Sequence, residues 1–212
     1  MDSTQMTNKR AGARMNSKLD VRKMTVTAML SAIAFVLMFL DTAVPIMPSF
    51  IKLDLSELPA LIATFALGPV CGVIVCLIKN LLHLLITTTG GVGELSNFIL
   101  GAAFVLPAGL IYQHKKTKKN AIIGAIVGAL AMAIISFPSN LFIVYPVYYN
   151  FMPKDVIIAA YQALVPFANI DSIAKCLLLF NVPFTFVKGL ISAIITILIY
   201  QPLRPLLKGN NS

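Results

Sequence analysis

The chain has 212 residues, of which 58% are hydrophobic and only 12% charged, and its mean hydropathy is +0.86. That leaves too little polar surface for a water-soluble domain and marks an all-α integral membrane protein. At about 20 residues per ~30 Å crossing, the length admits roughly five to seven spans and excludes a separate soluble catalytic domain. The net charge of +9 does not speak for nucleic acid. The charge is concentrated in Lys9, Arg10, Arg14, Lys18, Arg22 and Lys23, in Lys115, Lys116, Lys118 and Lys119, and in Arg204 and Lys208, which is positive-inside patterning.

In chain order, residues 1–23 read as a basic cytoplasmic tail, mobile over Met1–Asp20 and followed by a retained first helix instead of a signal-peptide cleavage site. The membrane domain covers 24–207, and 208–212 form a short C-terminal tail. The first span is expected over Thr25–Met47, ending at Pro45 and Pro48. A polar string follows, Ile51-Lys52-Leu53-Asp54-Leu55-Ser56-Glu57-Leu58-Pro59. A short second segment, Leu58–Leu67, stops at Gly68-Pro69, and a third runs from Val70 to Ile86. Thr87 to Gly93 is a loop by composition. The fourth span covers Leu95–Tyr112, and the lysine loop follows. The fifth covers Ala121–Tyr145, interrupted at Pro138. Asn150–Phe180 is mixed and expected at the outer interface, with a turn at Pro166–Asp171. The last span covers Val182–Tyr200. Six transmembrane helices with both termini cytoplasmic place the twelve basic residues named above, of seventeen, on one side of the membrane.

Cys71, Cys76 and Cys176 sit in apolar runs and read as free thiols. There is no G-x-x-x-x-G-K-[ST] loop for ATP, and no His/Cys set with metal spacing. Binding or transport fits better than catalysis. Charged groups inside a membrane are costly unless they face water, a ligand or a partner, so Lys79, Lys175 and Lys188 stand out. Asn181, Thr185 and Lys188 share one helix face, although Asn181 also reads as a cap ahead of Pro183. Asn140, just after Pro138, either satisfies backbone groups freed by the proline or meets a ligand. Lys79, Asn80 and His83 read as an internal network with Glu94, Glu57 or Asp54, or as a proton relay. Asp41 suits either Lys52 or Lys188. Ala28 and Ala32, flanked by Ser31, form a small-residue face for close helix packing, within the chain or on a partner.

These features resemble the substrate-binding S component of energy-coupling-factor (ECF) vitamin transporters, and within it the riboflavin-specific type. The resemblance rests on Ala28-x-x-x-Ala32, Lys52-x-Asp54-x-Ser56-x-x-Pro59, Lys79-Asn80, the stretch Gly93 to Asn97, and Pro183-Phe184-x-x-x-Lys188-Gly189. It implies a vitamin pocket open to the outside, with no enzymatic step and no bound cofactor other than the transported riboflavin, FMN being a further ligand to consider. Lys52, Leu53, Asp54, Leu55, Ser56 and Glu57 would frame the isoalloxazine ring, and Asn140 and Lys188 would hydrogen-bond the ligand. Thr185 stands where the family pattern has asparagine; a hydroxyl lacks the paired donor and acceptor of an amide, so either recognition of the ring edge is altered or Asn181, one turn earlier, supplies that amide. The resemblance further implies that Ala28, Ser31 and Ala32 dock on the transmembrane coupling subunit, which works with two ATPases, in the plasma membrane of a bacterium. The alternatives are an S component for another vitamin (thiamin, biotin or a folate-like compound) and a stand-alone proton-coupled transporter using Lys79, His83 and Glu94.

Overall fold

The computed structural model describes residues 3–45, 47, 48, 51–87, 89–164 and 171–208, with side chains except those of 3–20, 43 and 201–208. Among these residues the regular secondary structure is helical, apart from one minimal ladder of two strands. Helix α1 spans Ser3–Met38, so the basic segment expected to be a mobile tail is helical from Ser3 onward. The helix also stops nine residues short of the expected Met47. Its end tightens through Phe39 N–H to Val36 C=O and Leu40 N–H to Leu37 C=O bonds. The chain then extends ahead of Pro45 and Pro48, which disfavour helix before them. Thr42–Ala43 (β1) pairs antiparallel with Lys52–Leu53 (β2), Thr42 opposite Leu53. This small ladder pins the polar string beside the end of α1.

Helix α2, Glu57–Leu67, is buried from Glu57 through Phe65. At about 1.5 Å per residue it is roughly 16 Å long, well short of a ~30 Å crossing. Gly68 has φ 116°, a backbone open to glycine and strained for other residues, and the turn it makes launches α3, Pro69–His83, with proline in the first turn, where its missing N–H costs nothing. A 3-10 turn, Leu84–Ile86, extends α3. Helix α4 is Val92–His114. Helix α5, Lys118–Ser139, is capped by the Thr117 hydroxyl accepting from Asn120 N–H at 3.2 Å.

Pro138 does not interrupt the fifth span. The helix runs on through it, with Asn140 N–H on Ser136 C=O, and widens only later into a π turn, Asn140–Val144, directly ahead of Pro146, before continuing as α6, Tyr145–Tyr148. Amphipathic α7, Lys154–Leu164, turns Ile157 and Tyr161 inward. The last apolar rod begins at Ile173, not at Val182: α8 (Ile173–Cys176), a π turn (Leu177–Asn181) and α9 (Val182–Lys208) run on continuously. Residues 173–180 thus leave the expected outer segment and join the bundle, because Ile173, Cys176, Leu177 and Phe180 bury apolar surface in one cluster with Tyr145, Ile157 and Tyr161. The turn expected at Pro166–Asp171 lies, but for Asp171, outside the described residues.

Among the described residues, five rods are long and apolar enough to cross a membrane: Val21–Met38, Pro69–Ile86, Val92–His114, Lys118–Tyr148 and Ile173–Tyr200. The second expected span is present only as short α2. Helices α4, α5 and α9 form the central layer, and α2 is wedged among α1, α3, α4 and α9. The layer is tight because glycine removes side chains at the contacts. A Cβ on Gly124 would meet the Ala108 carbonyl at 2.6 Å, and one on Gly189 would meet Ala129 Cβ at 2.9 Å. The outer faces carry exposed Val70, Leu110, Ile134 and Leu198, as expected of surfaces solvated by lipid.

Candidate functional site

The bundle opens at one end into a cavity of about 380 Å³. Ile51, Lys52 and Asp54 of the polar string, Val92, Ser96, Asn97 and Leu100 of α4, Asn140 and Val144 of the π turn, Tyr145 and Tyr148 of α6, and Asn181, Phe184, Thr185 and Lys188 of the last rod are in its wall. Asn181, Thr185 and Lys188 are all buried, and the helix-face reading of these three agrees with the structure. Lys52 stands at the rim, paired with Asp41 at 2.8 Å and largely exposed. Of the string residues expected to frame a ligand, Leu53, Leu55, Ser56 and Glu57 are not in the wall. Leu53 and Leu55 are half-buried, while Ser56 and Glu57 lie fully buried beneath the floor.

The floor is an ordered polar chain. Lys188 Nζ donates to Asp54 Oδ2 at 2.8 Å and to Asn97 Oδ1 at 3.3 Å. Asp54 Oδ1 accepts from Ser56 N–H at 2.9 Å and from the Ser56 hydroxyl as well. Ser56 Oγ accepts in turn from Lys79 Nζ at 2.6 Å, and Lys79 also binds Glu57 Oε1 at 2.8 Å. Burial alone would raise the Asp54 carboxyl, but the neighbouring ammoniums of Lys188 and Lys79, with hydrogen bonds from Lys188 and Ser56, outweigh it and hold the group below the ordinary carboxylate range. Lys79 and Glu57 have no exposed side-chain surface. Gly101 of α4 makes room for that pair, since a Cβ there would sit 2.7 Å from Glu57 Oε2.

The asparagines are oriented by neighbours. Tyr161 donates to Asn181 Oδ1 at 2.6 Å and shares a 2.8 Å bond with the Tyr145 hydroxyl. Ser96 donates to Asn140 Oδ1 at 3.2 Å. With their carbonyls engaged, both side chains have an N–H₂ group left for the cavity. Ser96 and Asn97 lie in the stretch Gly93 to Asn97 noted in the sequence but carried no assigned role there, and Tyr161 escaped the sequence reading. Tyr161 is fourteen or more residues from any recognised motif, and only its inward position on an amphipathic helix would have pointed to it.

At the mouth, His83 Nδ1 and Glu94 Oε1 are 2.6 Å apart, and the Thr87 and Thr89 hydroxyls bind Glu94 Oε2 at 3.0 and 3.2 Å. The expected network therefore divides in two, Lys79 with Glu57 and Ser56, His83 with Glu94. Among the described residues no hydrogen bond joins the two halves, so the relay through Lys79, His83 and Glu94 has no continuous path. On α1, Ala28 and Ala32 are exposed, while Ser31 faces inward and donates to Thr27 C=O at 2.8 Å. Ser31 thus belongs to internal packing and not to the outer face.

Fold and site together define a multi-pass membrane protein holding a ligand-sized, part-polar cavity at one end of its bundle. Residues 22–200 match the family described as ECF transporter, substrate-specific component, and the chain belongs to that family. It is 36% identical to the riboflavin transporter RibU of Staphylococcus aureus (strain TCH60), over 92% of this chain and 96% of that one. It is 31% identical to the riboflavin transporter FmnP of Bacillus subtilis (strain 168), over 92% and 98%. A solved structure of the S component of a bacterial ECF transporter superposes with a TM-score of 0.70 at 35% identity, covering 90% of this chain and 99% of that one.

Proposed function

We propose that this chain captures riboflavin as the S component of an ECF importer. The observation that carries the reading is the cavity itself: apolar walls from Val92, Leu100, Met132 and Phe184 above a floor holding the Lys188–Asp54–Asn97 cluster. Such walls bury a flat tricyclic ring while a few convergent polar groups fix its orientation. Lys188, the Thr185 hydroxyl and the amide N–H₂ groups of Asn140 and Asn181 serve the polar edge of the ring and the ribityl chain. The full-length similarity to chains named riboflavin transporters supports the same ligand. An absorption spectrum of the detergent-purified protein, followed by riboflavin titration of the flavin-free form, tests it, with FMN as second titrant. Bands of oxidised flavin or saturable quenching are expected, and Asn140→Ala should weaken binding at least about tenfold, the value of one lost buried hydrogen bond. A colourless protein indifferent to riboflavin would leave another vitamin as the ligand.

In this reading both termini are cytoplasmic, short α2 completes a six-helix membrane domain, and the exposed Ala28/Ala32 face receives the transmembrane coupling subunit that works with two ATPases. Arginine at both alanines is expected to leave riboflavin titration unchanged, because neither side chain is buried, and to abolish co-purification of the coupling subunit. Retained co-purification would remove α1 from that interface.

A further inference from the structure

A second cavity, of about 310 Å³, lies at the other end of the bundle, lined by Phe65, Tyr112, Lys116, Thr117, Lys118, Ala121, Ile197 and Tyr200. Tyr200 is twelve residues beyond Lys188 on α9, about 18 Å along the helix, so this space is separate from the first. Its inner wall is fixed. The rings of Phe65, Tyr112 and Tyr200 pack with centroids 4.9, 5.8 and 6.3 Å apart, and the Tyr200 hydroxyl donates to Phe65 C=O at 3.1 Å. Its rim is cationic. Lys116 and Lys118 are exposed, and the ion pairs among the described residues all lie elsewhere.

The position of the rim gives the class of ligand. Two membrane rods end here, at His114 and Tyr200, and a third starts at Lys118, so the lysines stand at the depth where lipid phosphates lie. Inside them come Ala121, Ile197 and Phe65, an apolar lining that a soluble anion would not use but a glycerol backbone and the first acyl carbons would. Basic pockets between helices at such boundaries suit anionic head groups. We propose that this cavity binds the phosphodiester of an anionic phospholipid, Lys116 and Lys118 holding the phosphate and the Phe65–Tyr112–Tyr200 wall bounding the glycerol. The assignment is independent of what the first cavity binds.

Native mass spectrometry of the full chain released from detergent, with dioleoylphosphatidylglycerol or dioleoylphosphatidylcholine added, provides the test. The glycerol lipid should be retained at least about fivefold more, the discrimination expected from one or two boundary lysines. Lys116→Gln with Lys118→Gln should bring its retention down to that of the choline lipid. Lys115→Gln with Lys119→Gln removes the same charge from the same loop outside the cavity and should keep most of the retention. Equal losses in the two double variants would show diffuse attraction to the basic loop and overturn the site. So would the absence of any lipid preference. Full displacement by millimolar inorganic phosphate would overturn the lipid assignment in favour of a soluble phosphate ester.

Discussion

Lys188→Met is expected to weaken riboflavin binding by at least about tenfold, and also to lower the stability of the ligand-free protein. The first effect follows from losing a charged donor in a water-poor cavity, worth about 1.5–3 kcal/mol. The second follows from what Lys188 holds: Asp54, 7% exposed and 2.8 Å away. Removing one member of a buried pair leaves the other uncompensated, at a cost of about 3–5 kcal/mol. The two effects separate in a double variant. Asp54→Asn added to Lys188→Met removes the orphaned charge, so the melting temperature should largely recover while riboflavin affinity stays low. Affinity that recovers along with stability would reduce Lys188 to a structural counter-ion. The pair itself should withstand acidification. Asp54 has a depressed carboxyl in the folded protein, so its contribution is complete above the unfolded value of about 3.9 and fades only as pH falls below that toward the folded value. Binding measured between about pH 7 and 5 should not report the titration of Asp54.

A stability change of the same size is expected at Lys79. Its ammonium and the Glu57 carboxylate are wholly buried and 2.8 Å apart, and it also supports Ser56 beneath Asp54. Lys79→Met should cost about 3–5 kcal/mol, because Glu57 is then left charged among α2, α3 and α4. Glu57→Gln in the same chain should return most of that loss, since two neutral groups of similar volume need no counter-charge. Thermal unfolding in detergent, followed by tryptophan-independent dye binding to cysteine, measures both. A single variant as stable as the parent would mean that water or another cation reaches Glu57. Because Ser56 links this pair to the cavity floor, the double variant should bind riboflavin more weakly even where its melting temperature is restored.

Part of the cavity wall is readable along the chain. The string Lys52–Glu57 is conspicuous because charge beside apolar spans is expensive, and three of its neighbours in space, Asn181, Thr185 and Lys188, share a helix face by spacing alone. Six of the ten expected contact residues, Lys52, Asp54, Asn140, Asn181, Thr185 and Lys188, line the cavity. Ser56 and Glu57 do not, because the turn into α2 rotates them toward α3, where Lys79 meets them. The misplaced span ends have a common cause. Hydropathy counts apolar residues and is blind to whether they are helical, so it carries the first span past Met38, where the chain instead turns at Phe39–Leu40 and is extended over Thr42–Ala43. It also averages over neighbours, so Ile173–Phe180 merges with the more polar Asn150–Asp171 into one expected outer segment, although Ile173, Cys176, Leu177 and Phe180 are core residues of the last rod.

The membrane class and the helix face around Lys188 follow from composition and local periodicity, which depend on residues close in the chain. The pairing of charges does not. Lys188 had Asp41, Asp54, Glu57 and Glu94 as chemically equivalent partners, and Lys79 had three of the same four. Lys188 meets Asp54 across 134 residues and Lys79 meets Glu57 across 22, while Asp41 goes to Lys52 and Glu94 to His83. Coulomb attraction is indifferent among these choices at the level of sequence. The packing of α2 between α3, α4 and α9, with Gly101 leaving space for one carboxylate, selects a single arrangement in which every buried charge among the described residues has a partner.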